Sequence, residues 1–358
     1  MLTLRTKENM DETLTRWRHF WAGEVYKRPP VIIDIQKPGA GKPAGVNRHY
    51  YNACMKTYED QLAYLDWWAD NTLFLGESIP RFSPDHGPDQ FAALLGAKLQ
   101  FSKDSPSTNW VEPIVDDWAS FIPDMKLDTS NETWQSLITY SRMLRERGKG
   151  KYIVGVCDLH SNGDTLSALR NPEKLCMDFY DYPELIAKAM KAVRAMYKPV
   201  YDGLYDAGGM ADTGTSCWIP FYCEQRYATI QCDFICMTSP DIANEYIIPA
   251  IEEEANFLDH TIYHLDGPGA LPHLDSLLAI KKLDAIQWVP GAGQPDQHEW
   301  LDVLKKVQKA GKGLQLWGNA DVIKMYHREL KHEGVVYCPY GIKTREEADA
   351  LLKWLEQN

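Results

Sequence analysis

The stretch 260-HTIYHLDGPGALPHLDSLLAIKKLDAIQWVPGAGQPDQHEWLDVLKKVQKAGKGLQLWGNADVIKMYHRELKHEGVVYC-338 decides the fold. Four short runs rich in β-branched and aromatic residues, at 260–265, 283–289, 313–317 and 334–338, alternate with helical patterns at about 269–281, 296–310 and 320–332. Strands separated by a helix's length of chain do not pair as hairpins. They lie parallel, and each helix is the crossover between two of them. Working outward toward the N-terminus, the same alternation gives strands at 30–35 (PVIIDI), 71–75 (NTLFL), 151–157 (KYIVGVC) and 207–213 (GGMADTG). Helical patterns follow at about 57–70, 130–148, 183–203 and 240–259, with a last one at 343–356. Eight strand–helix units after an N-terminal helix predict an α/β fold, a closed (β/α)8 TIM barrel forming a single domain over 1–358. A doubly wound open sheet is the alternative, but no GxGxxG or P-loop follows the first strand. The long segment 76–129, rich in proline and aromatics, reads as a lid-like insertion after strand two, over the C-terminal face.

Composition narrows the functional classes. The 358 residues hold 38 Lys+Arg against 50 Asp+Glu, a formal charge of −12, with no long basic run. Nucleic acid and anionic membrane surfaces, which need concentrated positive charge, are therefore not expected partners. Eight cysteines spread over this length make no compact disulfide framework and read as free thiols in a reducing compartment. The N-terminus, 1-MLTLRTKENMDETLTRW-17, is charged rather than signal-like, and no run of about 18 apolar residues is present. A soluble cytoplasmic protein is expected.

In a barrel, residues at the C-terminal ends of the strands converge on one mouth. Here they are Asp34, Glu77, Asp158 with His160, Asp212 with Thr213, His264 with Asp266, Gln287 with Trp288, Asn319, and Cys338 with Tyr340. Carboxylates and imidazoles at nearly every strand end point to an enzyme, because burying them is unfavourable unless they are paired or used. The sharpest local feature is 263-YHLDGPG-269. Residues two apart on a strand share a face, so His264 and Asp266 look the same way. They fit an acid/base pair, two metal ligands or a substrate clamp, or else a satisfied core imidazole beside a helix-orienting carboxylate.

Three other places carry chemistry-bearing residues. Segment 214–241 holds Cys217, Cys223, Cys232 and Cys236 among Trp218, Phe221, Tyr222 and Tyr227. Without a CxxC pair the thiols read as small buried hydrophobes rather than a zinc site, and the aromatics as a ligand-lined wall or a dimer face. Glu77 suits a cationic or hydrogen-bond-donating substrate group, or the anchoring of a loop. His160, Asn162 and Asp164 lie at a strand-to-helix junction, where one of the last two is expected to be an N-cap.

Several of these stretches, 28-RPPVIID-34, 75-LGESIP-80, 92-AALLGAKL-99, 155-GVCDLHSNGDTLSALRN-171 and above all 227-YATIQCDFICMTSPDIANEYIIPAIEEEANFLDHTIYHLDG-267, resemble the uroporphyrinogen decarboxylase superfamily. That resemblance implies a (β/α)8 barrel, a homodimer, and kinship with the superfamily's corrinoid-linked methyltransferases. True uroporphyrinogen decarboxylases carry an early Arg-Gln-Ala-Gly-Arg stretch, whereas this N-terminus has only Arg16, Arg18, Lys27 and Arg28. The superfamily's zinc methyltransferases use His-x-Cys and a later Cys. Here His264 and Cys338 stand in similar places, and Asp266 replaces the middle thiolate.

A zinc held by His264, Asp266 and Cys338 would be a harder Lewis acid than a thiolate-rich one, suited to an ether or alcohol oxygen. The resemblance thus implies a methyltransferase, acting by O-demethylation or a related reaction, that delivers a methyl group to the cobalamin of a partner corrinoid protein. Glu77, His264 and Asp266 would be catalytic; His160, Trp218, Tyr222, Asp233, Trp288 and Tyr340 would bind substrate. A decarboxylase or lyase acting on a small non-porphyrin substrate, and a non-catalytic ligand-binding barrel, are the alternatives.

Overall fold

A computed structural model of the chain describes residues 2–41, 49–102 and 105–358; residues 103 and 104 of the lid-like segment lie outside the described residues. The described strands, in chain order, are β1 (Ile32–Gln36), β2 (Thr72–Gly76), β3 (Arg81–Phe82), β4 (Leu99–Ser102), β5 (Ser105–Val111) and β6 (Ile153–Val154). They continue with β7 (Tyr227–Gln231), β8 (His260–Asp266), β9 (Ala285–Val289), β10 (Gly313–Gly318) and β11 (Val335–Pro339). The last five form one parallel sheet in the order β7-β8-β9-β10-β11. Ile262, Tyr263, Leu265, Ile286, Leu314, Leu316 and Val335 are fully buried. Parallel strands covered on both faces are expected to read as such near-continuous apolar runs.

The crossovers stop and start where side chains satisfy helix ends. Asn319 accepts from the backbone N–H groups of Asp321 and Val322 to open the helix Ala320–Glu329. Thr344 and Glu347 form a reciprocal capping box at the start of Arg345–Gln357. The N-terminal helix Met10–Trp21 buries Leu14, Trp17 and Phe20 with Phe221, Tyr227, Ile262 and Val336. Among the described residues no helix is long and apolar enough to cross a membrane.

The N-terminal half departs from eight parallel units. β2 runs antiparallel to β1, with Ile32 opposite Gly76 and Gln36 opposite Thr72. β3 pairs parallel with β6, and β4 with β5 form an antiparallel pair inside the segment 76–129. A single parallel bridge, Val31 to Tyr337, attaches the start of β1 to β11. Further backbone bonds run from Ile153 N–H to Pro80 O (2.9 Å), Gly155 N–H to Phe82 O (2.9 Å) and Val156 N–H to Ser216 O (2.8 Å). The fold is a mixed α/β arrangement around a five-stranded parallel sheet; among the described residues, regular ladders do not run through eight parallel strands.

The strand expected at 207–213 is helix instead. It comprises the end of Pro183–Gly208, a left-handed cap at Gly209 (φ 68°) and the short helix Met210–Thr213. A Gly-Gly pair that ends a helix reads like a strand opening when the preceding apolar pattern is cut too early. The strand at this point of the sheet is β7, 227-YATIQ-231, whose five residues are all buried.

Candidate active site

Three connections at the C-terminal ends of parallel strands meet. Beyond β6 the chain passes Asp158 and His160 before entering the helix Asn162–Arg170, which carries Asp164 in its first turn. Beyond β7 a single turn of 3-10 helix, Asp233–Met237, begins with Asp233. β8 brings His264, and ends at the exposed Asp266 before Gly267 (φ 74°) turns the chain.

His160 lies between two carboxylates, its Nε2 3.0 Å from Asp158 Oδ2 and its Nδ1 3.4 Å from Asp164 Oδ2. Burial alone would discharge the ring, but Asp158 and Asp164 outweigh it and hold the imidazole protonated, well above its usual range. Asp164 also accepts from the backbone N–H groups of Asp233 (3.1 Å) and Phe234 (2.8 Å), which fixes the turn carrying Asp233. For Asp233, burial and then repulsion from Asp164 outweigh the opposing charge of His160 and push the carboxyl up to about 7. Among the described residues its buried Oδ1 has no hydrogen-bond partner.

The imidazole of His264 meets Gln287 Oε1 through Nδ1 at 2.5 Å, and burial pushes its pKa below the ordinary value. Trp218 walls the space, its ring edge-on to His264 (centroids 5.0 Å apart) and its Nε1 donating to Asp158 Oδ1 at 3.1 Å. Asp85 stands behind Asp158. It accepts from Gly87 N–H and Gln90 Nε2, both at 2.9 Å, and burial with Asp158 nearby raises its carboxyl to about 7.

Two sets of side chains bring ligand atoms within 4.8 Å of one another: His160, Asp164 and Asp233, and Asp233, His264 and Asp266. The two sets share the orphaned Asp233 oxygen. In the first, both nitrogens of His160 face carboxylates and Asp164 accepts from two backbone donors, whereas in the second the imidazole uses Nδ1 on Gln287 and so has Nε2 left for a ligand. One imidazole and two carboxylates around an open position fit a divalent cation such as zinc.

The expected residues divide accordingly. His160, Trp218, Asp233, His264 and Asp266 come together. Glu77 does not: β2 returns antiparallel to the start of β1, and the Glu77 carboxylate is buried between Arg16 and Arg28, with Val31 N–H donating to it at 2.8 Å. Cys338, on β11, belongs to neither ligand set; Gln315 Nε2 donates to its sulfur at 3.4 Å, and burial pushes its thiol up to about 12. Trp288 points to the opposite face of β9 from Gln287 and packs against Trp300, with ring centroids 5.2 Å apart. Tyr222 is buried near the N-terminal helix, its hydroxyl donating to Thr213 O at 3.0 Å. Tyr340 is exposed just past β11.

Cys217, Cys223, Cys232 and Cys236 are free thiols, and none belongs to either ligand set. Sequence reasoning passed over Asp85 and offered Asp164 only with Asn162 as one of two candidate N-caps, whereas Ser161 stands at that helix's N-cap. The run 83-SPDHGPDQ-90, with Asp85 and His86 between two prolines and Asp89 just after, was the available signal for Asp85.

No family model and no curated protein matches the sequence. Among solved structures, the chain is similar to a methyltransferase from Methanosarcina mazei, at 14% identity and a TM-score of 0.63, over 96% of this chain and 98% of that one. The two share a fold. The likeness runs over nearly the whole of both chains.

Proposed function

We propose that the chain is a methyltransferase that moves a methyl group from a small methoxylated or methylated compound to the cobalt of a corrinoid carried by a partner protein, with zinc held by Asp233, His264 and Asp266. The observation that carries this reading is the meeting of those three side chains, with a buried carboxylate oxygen lacking any other partner among the described residues. The fold shared with a methyltransferase supports it, as does the resemblance of 227–267 to the uroporphyrinogen decarboxylase superfamily. In this reading 1–358 is one distorted (β/α)8 barrel. The Val31–Tyr337 bridge extends the five-stranded sheet at its β11 edge, the bonds from 153–156 to Pro80, Phe82 and Ser216 would supply further wall segments, and the described residues after β3 within 76–129 would form the lid.

The donor set is harder than one built on thiolates and suits an ether oxygen. Bound there, zinc would supply Lewis acidity at the oxygen the methyl group leaves. The departing oxygen keeps the bonding electron pair and takes up a proton from solvent at the open mouth, while the His160 imidazolium, held between Asp158 and Asp164, favours the developing negative charge without giving up its proton. Trp218 shields the reacting atoms from water on one side. Decarboxylation is the weaker reading, because Asp85, Asp158, Asp164, Asp233 and Asp266 would repel a carboxylate substrate.

The test is a metal determination on protein purified without chelator, combined with a screen of methoxylated aromatics and methylated amines against cob(I)alamin, followed by the absorbance of methylcobalamin. About one zinc per chain and methyl transfer from at least one donor class are expected, both lost in His264→Ala. A folded protein that binds no divalent cation and forms no methylcobalamin would overturn the reading.

A further inference from the structure

The interior of the parallel sheet carries an unusual row of polar side chains. Strand register sets Gln231 beside His264 and His264 beside Gln287, and Gln315 follows on β10. Buried primary amides are unfavourable unless both ends are hydrogen-bonded, and apolar residues would fill this layer at lower cost. Gln287 and Gln315 are both buried, and each is bonded at both ends.

The links run in one direction. His264 Nδ1 lies 2.5 Å from Gln287 Oε1, Gln287 Nε2 donates to Gln315 Oε1 at 2.5 Å, and Gln315 Nε2 donates to Cys338 Sγ at 3.4 Å. An amide oxygen only accepts, so the imidazole nitrogen facing it must carry the proton. In a neutral ring the lone pair then sits on Nε2. Turning both amides over would reverse every link: the Cys338 thiol would donate to Gln315, Gln287 would donate to Nδ1, and the ring proton would move to Nε2. The tautomer of His264 is therefore tied to two amide orientations and to a sulfur on the fourth strand of the row.

We propose that Gln287 and Gln315 are positioning residues that hold His264 as its Nδ1–H tautomer and so keep an unprotonated Nε2 for the Asp233 and Asp266 side of the site. The consequence for cation binding rests on the function proposed above, whereas the tautomer itself does not. Outer partners of this kind fix ring orientation and ligand basicity, and their loss typically weakens metal binding about 10–100-fold.

The experiment is long-range 1H–15N correlation NMR of the metal-free full-length chain with labelled histidine, run beside a zinc titration against a chromophoric chelator. In the wild type, the His264 signals should show Nδ1 protonated and Nε2 bare. Gln287→Leu should give a mixed or Nε2–H ring and about 10–100-fold weaker zinc binding. Gln287→Glu keeps an oxygen facing Nδ1 and should retain the tautomer and bind zinc within a few-fold of wild type. Should Gln287→Leu fail to fold, Gln315→Leu carries the same test, since it frees Gln287 to turn over and the ring should become mixed. An Nε2–H ring in the wild type, or an unchanged Nδ1–H ring in folded Gln287→Leu, overturns the proposal. Absence of zinc binding in a wild type whose ring is Nδ1–H would sink the metal reading and leave the positioning role standing.

Discussion

Asp233, just past β7, and His264, on the neighbouring strand β8, bring ligand atoms within 4.8 Å of each other, and Asp266 completes the set. Neighbouring parallel strands make this possible: Gln231 pairs with His264, so the residue two past the end of β7 arrives beside the mouth end of β8. The sequence separates the two by a whole helical crossover.

Glu77 tests the difference between a buried structural carboxylate and a catalytic one. Its charge is held by Arg16 and Arg28, all three buried. Glu77→Gln removes the buried carboxylate charge between two guanidinium groups, which then share only the exposed Glu356 at 3.6 and 3.7 Å, and is expected to lower stability by about 3–5 kcal/mol. Urea denaturation measures that loss; zinc affinity of the folded fraction should be unchanged. A variant as stable as the wild type with altered zinc binding would return Glu77 to the active site.

His160 should be a stabilising cation. Its folded pKa is raised, so its contribution is fully present below the unfolded value near 6.5 and is lost as pH rises through the folded pKa. His160→Gln leaves Asp158 and Asp164 facing each other without the charge between them, and a loss of about 3–5 kcal/mol at pH 7 is expected from the range for broken buried pairs. The same substitution measured at a pH where the wild-type ring is discharged should cost much less. Equal cost at both pH values would contradict the charged imidazole.

Asp85 gives the same direction from the opposite cause, since burial favours its neutral form. Its folded carboxyl titrates near 7, above the unfolded value near 3.9, so the native state binds the extra proton between these limits and stability falls as pH rises through that window. Asp85→Asn keeps the oxygen that Gly87 N–H donates to and removes the titration. It should raise the melting temperature at pH 8, have little effect at pH 4, and flatten the pH profile between them. The gain is at most about 4 kcal/mol, from a shift of roughly three pKa units. A destabilised Asp85→Asn at pH 8 would show that the carboxylate is paired there.

Cys338→Ser distinguishes the donor set expected from sequence from the one assembled in three dimensions. If Asp233 is the third ligand, the serine variant binds zinc within a few-fold of wild type, as read by chelator competition. A loss of about 100-fold or more would be the behaviour of a direct ligand rather than of a residue at the end of a hydrogen-bonded row.

Much of the C-terminal half was legible because each strand there is an apolar run bounded by polar turns and separated by one amphipathic helix. The His264–Asp266 spacing was equally plain, since alternation on a strand sets both on one face. Glu77 was misplaced for a topological reason: nothing in 72-TLFLGE-77 says whether the strand runs with or against 32-IIDIQ-36, and the antiparallel pairing reverses which end of the molecule a strand end reaches. Trp288 was taken with Gln287 although adjacent strand residues face opposite ways. Asp233 was singled out, but its role changed, because which third residue meets His264 and Asp266 depends on the turn held by Asp164, a contact between residues 69 apart. Cys338 was expected as a ligand from position in the chain alone, whereas in space Gln287 and Gln315 stand between it and His264.

The most direct measurement is zinc K-edge X-ray absorption on the chain loaded with one equivalent of zinc. A set of Asp233, His264 and Asp266 predicts a first shell of nitrogen and oxygen at about 2.0–2.2 Å, with outer-shell scattering from one imidazole and no sulfur. A sulfur scatterer at about 2.3 Å, or zinc without any imidazole signature, would contradict it.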